Sequence, residues 1–291
     1  MKLLVTGNHG QLVSSLLERA ASVPQVEVVN LGRPDLDLLD PTSVHRAIAA
    51  IRPDIVVSAA AHTAVDQAED EPELAHAINV LGAAAVAEAA AAVDAPVIHL
   101  STDYVFAGDS RRPYVEDDPT GPRSVYGRTK WAGEQAVAAA NPRHLIVRTA
   151  WVYSPFAKNF LKTMVRLAHD RDEISVVCDQ WGNPTSALDL ADAILHAART
   201  LTAERYGTYH VAGTGDTNWA EFARSGLAAS QSLGGPHAQV RDIVSAQFPA
   251  KARRPVNSRL CCDKFADVFG WRAPPWQDSM EQVVRRLVAE A

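Results

Sequence analysis

Cysteine is scarce: three residues, with Cys261 and Cys262 adjacent and Cys178 alone. That pattern does not make a disulfide framework and reads as small buried hydrophobes in a reducing compartment. A basic excess is also missing. Lys and Arg number 28 against 34 Asp and Glu, the net charge is -6 and the pI about 5.9. Nucleic acid and anionic membrane both demand a positive footprint, so neither is an expected partner. A phosphate ligand stays admissible, because a few arginines and backbone amides suffice to hold one. No apolar run is read as approaching the roughly 20 residues of a membrane helix. Lys2 is followed by only three apolar residues before Thr6, so no secretory leader is expected. No second histidine stands at ligand spacing from His62, and no metal site is predicted. The expectation is a soluble cytoplasmic protein.

What is present is a regular alternation. Hydrophobic residues make up 47% of the 291 and charged residues 21%, enough for a packed core. The short apolar runs "LLVT", "VEVVNL", "DIVVSAA", "PVIHLST" and "HLIVRTAWVY" are separated by helical patterns. Strands divided by helices imply βαβ units and a parallel sheet, and near-continuous apolar strands imply cover on both faces. Helices are expected from the glycine turn to about Ala21, over "PTSVHRAIAAIR", over "EPELAHAINVLGAAAVAEAAAAV" and from about Val125 to Ala140. The fold class is therefore α/β, a Rossmann-type doubly wound parallel sheet, over residues 1–150. Residues 151–291 read as a smaller α/β substrate lobe, interleaved with the first and with a soft boundary. Helices near Ala157–Ala168 and Ser186–Leu201 and strands near Ile174–Val177 and Thr208–Val211 belong to this half, which ends in an amphipathic helix from about Trp276. Trp271 and Trp276 are expected in the lobe core or a lid.

Four motifs carry chemistry. In "GNHGQL", Gly7 and Gly10 suit a tight turn whose amides approach a pyrophosphate at a helix N-terminus. The third glycine of that pattern is absent, because Val13 stands in its place. A plain strand-turn-helix explains two glycines equally well. Val13 is expected to push the first helix off the sheet, or to be met by a small neighbour such as an alanine of "SAAAHT". The second strand ends in Asn30, with Arg33 beyond it and no carboxylate at the ribose position. This favours NADPH, with NADH admissible; a solvated Arg33 is the bland alternative. In "LSTDYVF", Ser101, Thr102 and Asp103 sit at a strand's carboxyl end, where open α/β sheets bind ligands; a strand-end turn would use the same residues. In "VYGRTKWAGE", Tyr126 and Lys130 share a helix face, and the ammonium is expected to lower the phenol pKa and suit it to proton transfer. The acidic run Asp66–Glu73 reads as a solvated face before a helix.

Taken in order, "AAAHTAVDQAEDEP", "STDYVFAGDSRRPYVEDDPTGPRSVYGRTKWAGE", "RTAWVY", "NFLKTMVRLA", "DQWGNPTSALDLADAI" and "ARRPVNSRL" span nearly the whole chain. On these segments it resembles the dTDP-4-dehydrorhamnose reductases of the extended short-chain dehydrogenase/reductase superfamily. The resemblance implies a dTDP-sugar substrate and Tyr126 as proton donor to its C4 ketone. It implies Lys130 on the nicotinamide ribose, Thr102 on the ketone oxygen and Asp103 beside the sugar. Gly10, Gln11 and Leu12 would meet the pyrophosphate, Asp37 and Leu38 the adenosine end, and Ala60, Ala61 and His62 would line the cofactor. Trp151 would pack on the sugar, Asn79 would act as a structural or relay group, and Arg253, Arg254 and Asn257 would meet the nucleotide diphosphate. Two rivals stay open: a related nucleotide-sugar reductase or epimerase, and a non-catalytic regulatory subunit. So does a homodimer, with or without metal.

Overall fold

A computed structural model describes residues 1–289. Strands β1 (Lys2–Thr6), β2 (Glu27–Leu31), β3 (Ile55–Ser58), β4 (Val97–Thr102) and β5 (His144–Thr149), together with Gly207–His210, form one six-stranded sheet. Its order is β2, β1, β3, β4, β5 and then Gly207–His210, and every pairing is parallel. The chain reverses its direction of travel across the sheet between β1 and β3. A crevice therefore opens beyond their carboxyl ends, where doubly wound folds bind ligands.

Strand alternation builds two apolar layers. Leu3, Val5, Val57 and Ile98 face helix α1 (Gln11–Ala20) and the helix Ala187–Thr200, through Val13, Leu16, Leu190 and Ile194. Leu4, Val56 and Val97 face α2 (Pro41–Ile51) and the alanine-rich helix on the other side, through Val44, Ile48, Val86 and Ala90. That second helix is continuous from Pro72 to Ala92 and carries a π-helical segment at Ala77–Gly82. At 21 residues and hydropathy 1.5 it is long and apolar enough to cross a membrane, which corrects the expectation that no run comes near that length. Its composition serves packing instead. Half of its apolar window is buried, and small side chains let the backbone approach closely: a Cβ on Gly82 would lie 2.7 Å from the Leu38 Cβ and 2.8 Å from its carbonyl oxygen.

The second half is built around a separate aromatic core of Tyr153, Phe222, Trp276, Met280 and Val283. The helix expected from Ala157 begins at Phe160 because Asn159 caps it, its Oδ1 accepting from the Lys162 amide at 3.0 Å. Strand Glu173–Val177 pairs in parallel with Gln239–Ile243 in a small sheet of its own. The chain then returns to the large sheet, since Ala187–Thr200 packs on α1 and Gly207–His210 pairs with β5. Helices Trp219–Ser232 and Asp263–Phe269 complete the lobe, and Trp276–Ala289 closes the described chain. Trp276 is buried in the lobe core, while Trp271 packs at the edge of the larger one. The three cysteines are free thiols, partly buried.

Candidate functional site

The glycine turn makes a cradle. Gly7 has a φ of +113°, open to glycine and strained for other residues, and a Cβ there would meet a Val13 methyl at 3.3 Å. Val13 is itself buried in the core between α1 and the sheet. The small neighbour that accommodates it is Gly7, with Ala60 3.8 Å from the same Cβ position. Helix α1 starts at Gly10 without a side-chain cap and without an acidic residue in its first turn. Its first amides and positive dipole end are thus left for an anion. Gln11 contributes only its backbone here. Its side chain donates to the Val152 carbonyl (3.2 Å) and accepts from the Ser154 hydroxyl (2.8 Å), tying the two halves together. Leu12 likewise turns its side chain to the core.

A cleft of about 380 Å³ extends from this cradle along the end of β2, lined by Gly7, Asn8, Gly32, Arg33, Leu36, Asp37, Leu38, Leu39, Ala60, Ala61 and Ile78. Asn30 lies behind it, its amide reaching the Gly7 carbonyl at 3.4 Å. The Asp37 carboxylate accepts from the Leu39 amide at 3.0 Å, so this residue shapes the turn. Sequence reasoning missed Asn8. Its side chain donates to the Arg33 carbonyl at 3.1 Å and sits where a Cβ on Gly32 would fall, fixing the loop that carries Arg33. The glycine cradle, the uncapped helix start and the carboxylate-free end of β2 fit a dinucleotide carrying a 2′-phosphate. The Thr6 hydroxyl accepts from the Ala59 and Ala60 amides, both at 3.0 Å, and so aims this loop into the cleft.

His62 follows that loop. Asn79 clamps it: Oδ1 accepts from the His62 amide at 2.8 Å, and Nδ2 donates to the His62 carbonyl and to the Thr129 hydroxyl, each at 3.1 Å. The π-helical segment places Asn79 here, between the cofactor loop and the helix that bears Tyr126. The His62 ring is buried against Glu71, at 3.4 Å, and its Nδ1 has no partner among the described residues.

Helix α3 (Val125–Ala140) is capped by Ser124, whose hydroxyl accepts from Gly127 at 3.0 Å. It carries Tyr126 and Lys130 beside the end of β4. The Thr102 hydroxyl donates to Asp103 Oδ1 at 2.8 Å and accepts from the Tyr104 amide at 3.2 Å. Asp103 is buried, its Oδ2 lacks a hydrogen-bond partner among the described residues, and burial pushes it up to about 6 against the nearby Ser258 and Thr102 hydroxyls. Burial also raises Tyr126, opposed by its hydrogen bond with Thr102 and reinforced by the charge of Asp103. This corrects the expectation that Lys130 lowers the phenol. The Lys130 ammonium instead donates to the Leu100 carbonyl at 2.6 Å and lies 3.4 Å from His99 Nε2, and burial pulls it down to about 8. Ser101 leaves the site, because its hydroxyl bonds Glu134 within the core.

A crevice beside this group is lined by Tyr104, Phe106, Ala107, Arg123, Ser124, Arg253, Arg254 and Pro255. Arg253 is exposed. Arg254 donates to Asp66 Oδ2 at 2.8 Å, while its buried Nε has no partner among the described residues. Tyr104 and Arg123 were not singled out in the sequence. Tyr104 stacks edge-on to Tyr126, ring centroids 5.5 Å apart, and its place inside "STDYVF" was the available signal. Asn257 proves to be a bracket. Its amide donates to the Ser110 and Arg112 carbonyls at 2.9 and 3.0 Å, and its oxygen accepts from Arg259 Nε at 2.7 Å, leaving no group for a diphosphate. The acidic run is also more than a solvated face. Asp66 accepts from the Ala252 amide at 3.0 Å, Asp70 pairs with Lys251, and Glu69 accepts from the Val125 amide at 2.8 Å. These bonds strap the arginine segment and the start of α3 to one short helix, Val65–Ala68, and the turn after it. Trp151, with φ 48°, stacks on Trp219 at a centroid distance of 3.5 Å and donates to the Ser258 hydroxyl at 3.2 Å.

Comparisons with known proteins find relatives along the whole chain. A family profile described as RmlD substrate binding domain matches residues 1–289. The dTDP-4-dehydrorhamnose reductase of Sinorhizobium fredii is 49% identical, over 100% of this chain and 99% of that protein. That of Escherichia coli K12 is 41% identical, over 99% and 98%. The crystal structure of dTDP-4-dehydrorhamnose reductase from Bacillus anthracis in complex with NADP superposes with a TM-score of 0.91 at 37% identity, covering 97% of this chain and 98% of that one. From the profile match and these full-length relatives, the chain belongs to the dTDP-4-dehydrorhamnose reductase family.

Proposed function

We propose that the protein reduces the C4 ketone of dTDP-4-dehydro-L-rhamnose to dTDP-L-rhamnose. The observation that carries the reading is the group of buried Thr102, Asp103 and Lys130 with half-buried Tyr126 at the sheet's carboxyl edge, between the cofactor cleft and the arginine crevice. NADPH, bound along the cleft from Gly7 to Arg33, supplies the hydride. Thr102 orients the ketone oxygen, and Tyr126 gives it a proton. A phenol held well above its ordinary pKa is fully protonated at neutral pH and therefore enters the reaction as an acid. Lys130 holds the nicotinamide ribose. Arg254, with an unpartnered Nε, and Arg253 take the diphosphate, since guanidinium forks match phosphate oxygens. Trp151 covers the sugar. Three free thiols and a soluble nucleotide-sugar substrate suit the cytoplasm.

The test is direct. The purified protein is mixed with dTDP-4-dehydro-L-rhamnose and either NADPH or NADH. Absorbance at the nicotinamide band and the identity of the product sugar are followed. Cofactor consumption with formation of dTDP-L-rhamnose, faster with NADPH, is expected. Protein that retains NAD and interconverts sugars without net consumption sinks the reading.

A further inference from the structure

Outside the roles assigned above, His99 is a fully enclosed histidine. His99 lies on β4, about 1% exposed, with Lys130 on one side of its ring and Ser58 on the other. Its Nε2 faces the Lys130 ammonium at 3.4 Å and its Nδ1 faces the Ser58 hydroxyl at 3.1 Å. An ammonium only donates, so Nε2 must accept. The ring proton then sits on Nδ1 and is donated to Ser58. Burial and the adjacent lysine charge hold His99 well below its ordinary pKa, which keeps the imidazole neutral.

Lys130 has three N–H donors. One goes to the Leu100 carbonyl at 2.6 Å and a second to His99. The third is left for the site. We infer that His99 is a positioning residue for Lys130: a neutral acceptor, fixed in one tautomer by Ser58, that aims the remaining ammonium hydrogen at the cofactor ribose. This rests on the role proposed above for Lys130. The charged groups around the ammonium support it. Glu134, one turn further along α3, favours the cation from a distance, but its carboxylate is engaged by Arg148 and Ser101 and does not compete for the lysine hydrogens.

The experiment compares His99→Phe with His99→Gln, whose amide oxygen replaces Nε2 as acceptor. In the full-length enzyme, kcat is measured against pH with NADPH, and NADPH affinity by fluorescence. Loss of an acceptor destabilises the ammonium. His99→Phe should therefore lower kcat at pH 7 about tenfold or more and move the alkaline limb down by about one pH unit. NADPH affinity should also weaken, by about threefold or more, because the ammonium hydrogen aimed at the ribose is misplaced, and His99→Gln should restore limb, rate and affinity. An unmoved limb in His99→Phe, or equal losses in both variants, overturns the inference. Nitrogen NMR of the wild-type ring gives an answer even if His99→Phe does not fold. A neutral ring protonated on Nδ1 is expected, and an Nε2–H tautomer or an imidazolium at pH 7 overturns it. Lys130→Met that keeps wild-type turnover would sink the underlying reading of the site. Lost turnover in Lys130→Met with an unmoved limb in His99→Phe would sink the positioning role alone.

Discussion

The Thr102 hydroxyl donates to the Asp103 carboxylate across 2.8 Å, and both side chains are buried. The bond does not compensate for the lost hydration of the charge, since Asp103 stays raised to about 6. A carboxyl whose folded value lies above its ordinary value binds its proton more tightly in the folded state. Its contribution is therefore most favourable below pH 3.8 and is lost as pH rises through about 6. Asp103→Asn keeps the oxygen acceptor and removes the charge. At about 1.4 kcal/mol per pH unit across this interval, the variant should gain at most about 3 kcal/mol at pH 8 and nothing near pH 4. Turnover should fall at the same time. Urea unfolding at both pH values checks this, and a destabilised variant at pH 8 would refute it.

Tyr126→Phe removes the hydroxyl and leaves the ring against Tyr104. The acid is lost while the cofactor cleft, which Tyr126 does not line, stays intact. Turnover should drop by about 10²–10⁴-fold, the range of general acid catalysis. NADPH titration should give an affinity within about threefold of wild type. Wild-type turnover would show that another group protonates the ketone.

Beneath the site, Arg148 grips Glu134 with two bonds, 2.9 and 2.7 Å, both side chains almost fully enclosed. Ser101 adds a third bond to the carboxylate, and the guanidinium lies 5.1 Å from the Phe106 ring centroid. Removing one partner strands a buried charge. Arg148→Met should therefore lower unfolding free energy by about 3–5 kcal/mol. Paired with Glu134→Leu, it should recover much of that loss. Chemical denaturation of the single and double variants decides. A double variant no better than Arg148→Met would mean that the pair shapes β4 and α3 beyond satisfying each other.

The periodic parts of this chain were legible. "SVYGRTKWAGE" predicts a helix from Val125 to Ala140, and the helix has those bounds because Ser124 caps it. The order of the motifs also places Thr102, Tyr126 and the glycine turn at one edge of the sheet. Helix Trp219–Ser232 and strand Gln239–Ile243 were not read, since the strand alternates weakly and is mostly exposed. Partnerships across the chain were the other blind spot. Local sequence does not show that Asp66 reaches Arg254, that Asn257 brackets residues 110–112, or that Lys130 turns to His99. Each depends on segments brought together only by the closed fold. The reversed direction of the Tyr126 shift has the same origin, because burial is set by the whole site.

Val13 is the place where local pattern and packing diverge most. Its methyl fills the space above Gly7, 3.3 Å from where a Cβ would stand, within the core of Leu3, Val5 and Leu16. The sequence pattern alone makes glycine at 13 harmless, or even helpful to the cofactor. Packing adds a cost in stability that the pattern does not address, because Val13 is buried in the core. Val13→Ala should cost about 1–3 kcal/mol through lost burial and a residual cavity, and Val13→Gly about 1 kcal/mol more through helix propensity. Neither variant removes an amide of α1, so NADPH affinity in folded protein should stay within about threefold. Thermal unfolding with and without NADPH separates the two effects. A loss of NADPH affinity in Val13→Ala larger than about tenfold would mean that the valine holds the glycine turn in its binding shape, with Gly7 at φ +113° set by contact rather than by the chain alone.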